Sequence, residues 1–111
     1  MVLVVVDGLR DDSSREMPYL SRLRETAAIA TMKSGQPSFS KPAYAVVSSG
    51  AWQESTGVVL NTSPGGLAID TVFRSARREE LAVSMVAHEW WEQVNGQEGF
   101  SFSHKYGDGE G

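Results

Sequence analysis

The run Val2-Leu3-Val4-Val5-Val6 constrains this chain more than any other segment. It is wholly apolar and leaves no polar face for solvent, so it predicts a central parallel strand buried on both sides. Asp7-Gly8 ends the run with ordinary turn chemistry. Met17, Leu20, Leu23 and Ala27 recur at helical spacing and predict a helix over 17–27. Residues 28–32 predict a short strand, and 34–39, with Gly35 and Pro37, a loop. Pro42 suits a first helical turn and Gly50 a stop, which predicts a helix over 41–49. Ile69, Val72, Phe73 and Ala76 share one helical face over 67–80. A second buried strand is expected over 81–87 and a short helix over 89–94. Glycine dominates from Asn95 onward, and 107–111 should fray.

Strands alternating with helices imply parallel pairing and an α/β layered fold. About three strands make a thin sheet, and two-sided burial of residues 2–6 calls for more neighbours. The expectation is the N-terminal portion, 1–111, of a single larger domain.

The bulk chemistry narrows the function. Hydrophobic residues make up 41%, which suits a packed core. The net charge is −4 and no basic run occurs, so a nucleic-acid scaffold role is excluded while a nucleotide-like substrate stays open. There are no cysteines, hence neither disulfides nor thiolate metal sites. Residues 2–6 are too few to span a bilayer and lack the flanks of a signal peptide. Met1 as the true start implies a cytoplasmic protein; Met1 as an internal residue leaves localisation open.

Three residues could carry chemistry. Asp7 stands just past the carboxyl end of the first expected strand, the edge where open α/β sheets bind ligands. Its carboxylate suits a hard divalent cation, or it closes a turn. Ser40 stands where loop becomes helix, so an anionic substrate would meet the free N–H groups and dipole of a helix N-terminus. No His is near in sequence to deprotonate it, which favours metal activation; otherwise Ser40 caps the helix. Asn61, after Val58-Val59-Leu60, could donate its amide to a transition-state oxygen, or could belong to the turn at 62–66.

Taken jointly, these residues resemble the alkaline phosphatase superfamily, and most closely its type I phosphodiesterase/nucleotide pyrophosphatase branch. That branch carries Asp-Gly-Phe/Leu-Arg after its first strand, matched by Asp7-Gly8-Leu9-Arg10. Its Thr or Ser nucleophile lies two residues before a Pro and ten before a Gly, as Ser40 does before Pro42 and Gly50. A second Gly seven residues later is matched by Gly57, and an Asn about twenty residues after the nucleophile by Asn61. The likeness covers residues 2–61 well and extends loosely to His88. It implies a three-layer α/β/α fold, here only its N-terminal strands and helices. It implies Asp7 as a metal ligand, Ser40 as the metal-bound nucleophile and Asn61 as an oxyanion donor. Two divalent ions, zinc above all, and a small phosphate ester or nucleotide substrate follow from the same resemblance, with a covalent phosphoserine.

The departures are specific. Lys41 replaces the usual aromatic after the nucleophile, which alters the substrate pocket or adds positive charge. Thr56 replaces the His common before the second Gly. The branch's other ligands are downstream Asp and His residues; His88 and His104 lie in no such motif, so the 111 residues alone are expected to be inactive. The sulfatase branch is the nearest rival, matched by Ser40-Lys41-Pro42-Ala43, but Tyr44 stands where it requires Arg, and Asp7 is followed by Gly8. A non-catalytic anion-binding module is the reading from a different class. Trp52 and the Trp90-Trp91 pair are read as packing residues, the latter at a sheet edge or against the rest of a larger domain, and Arg74, Arg77 and Arg78 as a solvated helix face.

Overall fold

Two parallel strands, β1 (Ser84–His88) and β2 (Phe102–Tyr106), pair in register from Ser84 opposite Phe102 to His88 opposite Tyr106. Between them run helix α6 (Trp90–Asn95) and a 3-10 turn at Gln97–Gly99, a short crossover of the kind parallel strands need. The computed structural model describes residues 1–107. The chain divides into two units, Met1–Lys33 and the residues from Ser34 onward. The α/β class and parallel pairing agree with the expectation. The fraying expected of 107–111 falls, beyond Gly107, outside the described residues.

The first unit holds α1 (Asp11–Glu16) and α2 (Pro18–Arg24). Asp11 and Asp12 sit in the first turn of α1, where carboxylates complement the helix dipole. Pro18 opens α2 at a position that needs no N–H. Arg24 ties the helices together: its guanidinium donates to the Ser14 carbonyl at 2.9 Å and to Ser14 Oγ at 2.8 Å. Residues 2–6 form no strand and are exposed, Val2 at 87%. A strand exists only through ladder bonds to neighbours, and among the described residues none pairs with this run. Residues 28–32 likewise form no strand.

The second unit is built around α3 (Ser40–Ser49). Tyr44 and Ala45 on adjacent positions send their side chains into two different clusters. Ala45 joins Val58, Leu67 and Val94, with Ile69 against them. Tyr44 joins Met85 and Trp91, with Phe73 and Phe100 alongside. The Tyr44 and Trp91 rings stack at 4.6 Å, close enough for a specific aromatic contact beyond area burial. Trp91 is therefore a core residue rather than an edge one. Trp52 is the reverse: it precedes α4 (Gln53–Thr56) and is 61% exposed.

Both helices end on left-handed glycines, Gly50 at φ 70° and Gly57 at φ 73°. That conformation carries little penalty without a Cβ, which is why the chain places glycine there. Thr56, between them, works internally: its hydroxyl donates to the Gln53 carbonyl at 2.9 Å and accepts from the Val58 N–H at 3.2 Å.

Helix α5 (Val72–Arg78) starts later than the apolar spacing predicts, because Thr71 Oγ1 accepts the Arg74 N–H and caps it there. Arg74 is no solvated cation. It donates to the carbonyls of Asn95 at 2.9 Å, Leu67 at 2.7 Å and Ile69 at 3.1 Å, locking α5 to α6 and to the 67–69 segment. The strand β2 lies where only a glycine-rich tail was expected, and it carries His104.

Candidate functional site

The first turn of α3 has an unusual donor inventory. Its N-cap is Phe39, which has no side-chain acceptor, and no side-chain cap bond forms there. Ser40 is the first helical residue, so it does not cap the helix. Pro42 has no N–H, and the Ala43 N–H already reaches the Phe39 carbonyl at 3.1 Å. Two orphan donors remain, the N–H groups of Ser40 and Lys41.

Asn61 takes one of them. Its Oδ1 accepts the Lys41 N–H at 3.0 Å, across 20 residues of sequence. The structure thus brings Asn61 to the helix turn that carries Ser40. With the amide oxygen committed to the helix, the amide nitrogen faces elsewhere and makes no hydrogen bond among the described residues. The Ser40 hydroxyl and N–H are likewise unpartnered among them, and Ser40 is half-buried. One hydroxyl, one free helix N–H and one oriented amide therefore share the N-terminal end of α3, an arrangement suited to an anionic group.

Lys41, expected to alter the substrate pocket or add positive charge there, turns inward. It is 4% exposed, and its ammonium donates to the Ser63 carbonyl at 2.7 Å and to Gln93 Oε1 at 2.9 Å. Burial holds its pKa below the ordinary lysine range, partly offset by the Glu89 carboxylate. Its charge is spent inside the protein rather than offered to a ligand. Tyr44, one turn on, is buried in the core.

Asp7 belongs to the first unit, in the turn closed by Gly8 at φ 74°. His88 ends β1; its ring packs on Trp90 at 4.6 Å and its Nδ1 accepts the Trp90 N–H at 3.2 Å. Among the described residues no three His, Cys, Asp or Glu side chains are grouped to hold a metal ion. Catalytic zinc takes about three protein ligands, and Asp7 and Ser40 supply two candidates, so these residues alone do not fit a metal pair.

Sequence reasoning missed the roles of Lys41, Ser63 and Gln93. A signal for an outside acceptor existed: a helix opening after Phe39, which cannot cap, leaves the first-turn donors to be satisfied from elsewhere.

No helix among the described residues is long and apolar enough to cross a membrane. No curated protein and no solved structure matches the chain. The family model of type I phosphodiesterases/nucleotide pyrophosphatases matches it over residues 1–106. That match spans nearly the whole chain, both units included, and the chain belongs to the type I phosphodiesterase/nucleotide pyrophosphatase family.

Proposed function

We infer that the chain is part of a hydrolase of phosphodiester or pyrophosphate bonds, with Ser40 as nucleophile, acting on small phosphate esters or nucleotides. The observation that carries this reading is the Ser40 hydroxyl, unpartnered among the described residues, on the same helix turn that Asn61 caps. Ser40 Oγ forms a bond to phosphorus while the leaving alkoxide departs and takes up the hydroxyl proton. Water then cleaves the phosphoserine. The free Ser40 N–H, the helix dipole and the Asn61 amide would meet the charge developing on the non-bridging oxygens.

The family is metal-dependent in general. Asp7 and Ser40 are the residues of this chain that would contribute to a divalent-ion site, with zinc the expected metal, which would supply Lewis-acid activation. The remaining ligands are not among the described groups, and we assign the chain to a larger three-layer α/β/α domain. The bare residues 2–6 and the exposed Val86, Phe102 and Tyr106 on the two-stranded sheet support that assignment. The buried position of Tyr44 supports the phosphodiesterase reading over a sulfatase one, since a sulfatase Arg there would enter the core.

Ser40→Ala should abolish hydrolysis of a chromogenic phosphodiester by the natural gene product, and wild-type hydrolysis in that variant would remove Ser40 as nucleophile. Asp7→Asn should lower bound metal per chain by elemental analysis; unchanged metal content would exclude Asp7 as a ligand.

A further inference from the structure

Ser63 organises the turn on which Asn61 rides. Its hydroxyl accepts the N–H groups of Val59 at 3.2 Å and Leu60 at 3.0 Å, and its own N–H reaches the Leu60 carbonyl at 3.0 Å. These bonds close residues 59–63 into a tight loop. They do not attach that loop to anything else. Further on, Gly66 and Leu67 donate to the carbonyls of Gln93 and Val94 at 2.6 and 3.0 Å, which fastens the exit of the segment to α6.

Beside the apolar packing of Val58 on Ala45, the polar attachment to α3 among the described residues comes from Lys41. Lys41 gives its backbone N–H to Asn61 Oδ1 and its ammonium to the Ser63 carbonyl, so it holds the turn at two points spaced two residues apart. The same ammonium reaches Gln93 Oε1 on α6. Three elements, the N-terminus of α3, the 59–63 turn and α6, therefore meet on one side chain. A hydrogen bond from a charged donor is roughly twice as strong as a neutral one, and Lys41 itself is buried. Without it, the only polar link among the described residues between the 59–63 turn and the start of α3 would be the single neutral bond of the Asn61 cap.

We propose that Lys41 is a positioning residue: its ammonium, bound to Ser63 and Gln93, holds the Asn61 amide in register with Ser40. This rests on the reading of Ser40 and Asn61 as the reacting and stabilising groups, and it gives the position after the nucleophile a task directed inward. A long, flexible cation with three donors can span from a helix N-terminus to two acceptors on different elements; an aromatic side chain there could not.

The test is amide hydrogen exchange on the 15N-labelled chain, comparing Lys41→Met with wild type. Methionine keeps the length and apolar stem while removing charge and donors. Local loosening without global unfolding should speed exchange of the residue-41 amide by about tenfold or more, and shift the Asn61 side-chain NH2 resonances. The Gly50 amide, bonded to the Val46 carbonyl in the same helix, should keep its protection. Uniform loss across both amides, or no change at residue 41, overturns the proposal. If Lys41→Met does not fold, Gln93→Met, at an exposed position, removes one acceptor and should give the same selective change at smaller size; its absence there also overturns the proposal. In the natural gene product, hydrolysis of bis(p-nitrophenyl) phosphate by the folded variant should lose kcat with little change in KM, because the misplaced amide acts only in the transition state. The exchange readings do not depend on turnover. Active Ser40→Ala enzyme with selective loosening at residue 41 would refute the nucleophile and leave the strut standing; inert Ser40→Ala with unchanged exchange would do the reverse.

Discussion

Asn61 serves the fold with its oxygen and, on the proposed reading, the reaction with its nitrogen, and substitution can separate the two. The helix α3 begins at a residue whose predecessor, Phe39, cannot cap it, and Asn61 Oδ1 supplies a side-chain cap bond to its first turn. Asn61→Ala should therefore cost about 1 kcal/mol of stability, the usual size of a lost N-cap. It should also lose the amide donor, worth about 10²–10³ in kcat if it stabilises a developing oxyanion. Asn61→Asp keeps an acceptor in the same place and adds negative charge at the positive end of the helix, a further ~0.3–1 kcal/mol in favour of folding. It has no donor to offer and repels an anionic substrate. Stability should thus rank Asp at or above Asn, with Ala lowest, whereas turnover should fall in both variants and furthest in Asp. Urea unfolding followed by tryptophan fluorescence reads the first order, with the buried Trp91 as reporter, and phosphodiester hydrolysis by the natural gene product reads the second. If Asn61→Asp is destabilised as much as Asn61→Ala, the cap assignment is wrong. If Asn61→Ala turns over like wild type, the donor assignment is wrong.

Arg74→Met should lower the unfolding free energy by about 3 kcal/mol, read as a lower urea midpoint at unchanged slope, since three carbonyls lose a charged donor and water replaces it only in part at a side chain that is 18% exposed; a midpoint equal to wild type would show the clamp to be dispensable. Glu92 links α6 to β2 by accepting from Lys105 Nζ at 2.6 Å and Ser103 Oγ at 2.7 Å, and these two groups, the Lys105 ammonium first, hold its carboxyl below the usual range. Because the folded pKa is depressed, its stabilisation is full above the ordinary glutamate value of about 4.3 and is lost as pH falls through the folded pKa. Glu92→Gln should flatten that acid limb in a pH series of melting temperatures, and an unchanged limb would place the acid sensitivity elsewhere.

Much of the second unit was legible because its signals are local. Pro42 and Gly50 bracket α3 by backbone chemistry alone, and the apolar spacing of Phe73 with Ala76 marks α5 even though Thr71 decides where it begins. Residues 2–6 read as a buried strand and are bare, because a strand is a property of its neighbours as much as of its own residues. Strand β2 escaped notice for a related reason: Phe102, His104 and Tyr106 alternate with polar residues, but serines and glycines around them hide the period. Arg74 was misread as solvated because composition marks a cation as solvent-facing, and the charge of Lys41 was assigned to the substrate pocket, while both positions put backbone carbonyls within reach of the charge. Ser40 and Asn61 were singled out by spacing, yet the link between them, through the Lys41 N–H, is a contact across the fold that no local pattern encodes.

The glycines at 50 and 57 carry a lesson about what a shared motif certifies. A Cβ built on either would meet nothing within 4 Å, so neither position is reserved for want of room. What each demands is handedness: the backbone there turns the way mirror-image amino acids prefer, and a D-alanine would sit in either without complaint. Both are punctuation for helix ends rather than contacts to a substrate. A relative could therefore keep the pair, spaced seven apart, long after its chemistry had changed, and their presence vouches for the course of the chain, while the reaction must be judged from Ser40, Asn61 and the groups that hold them.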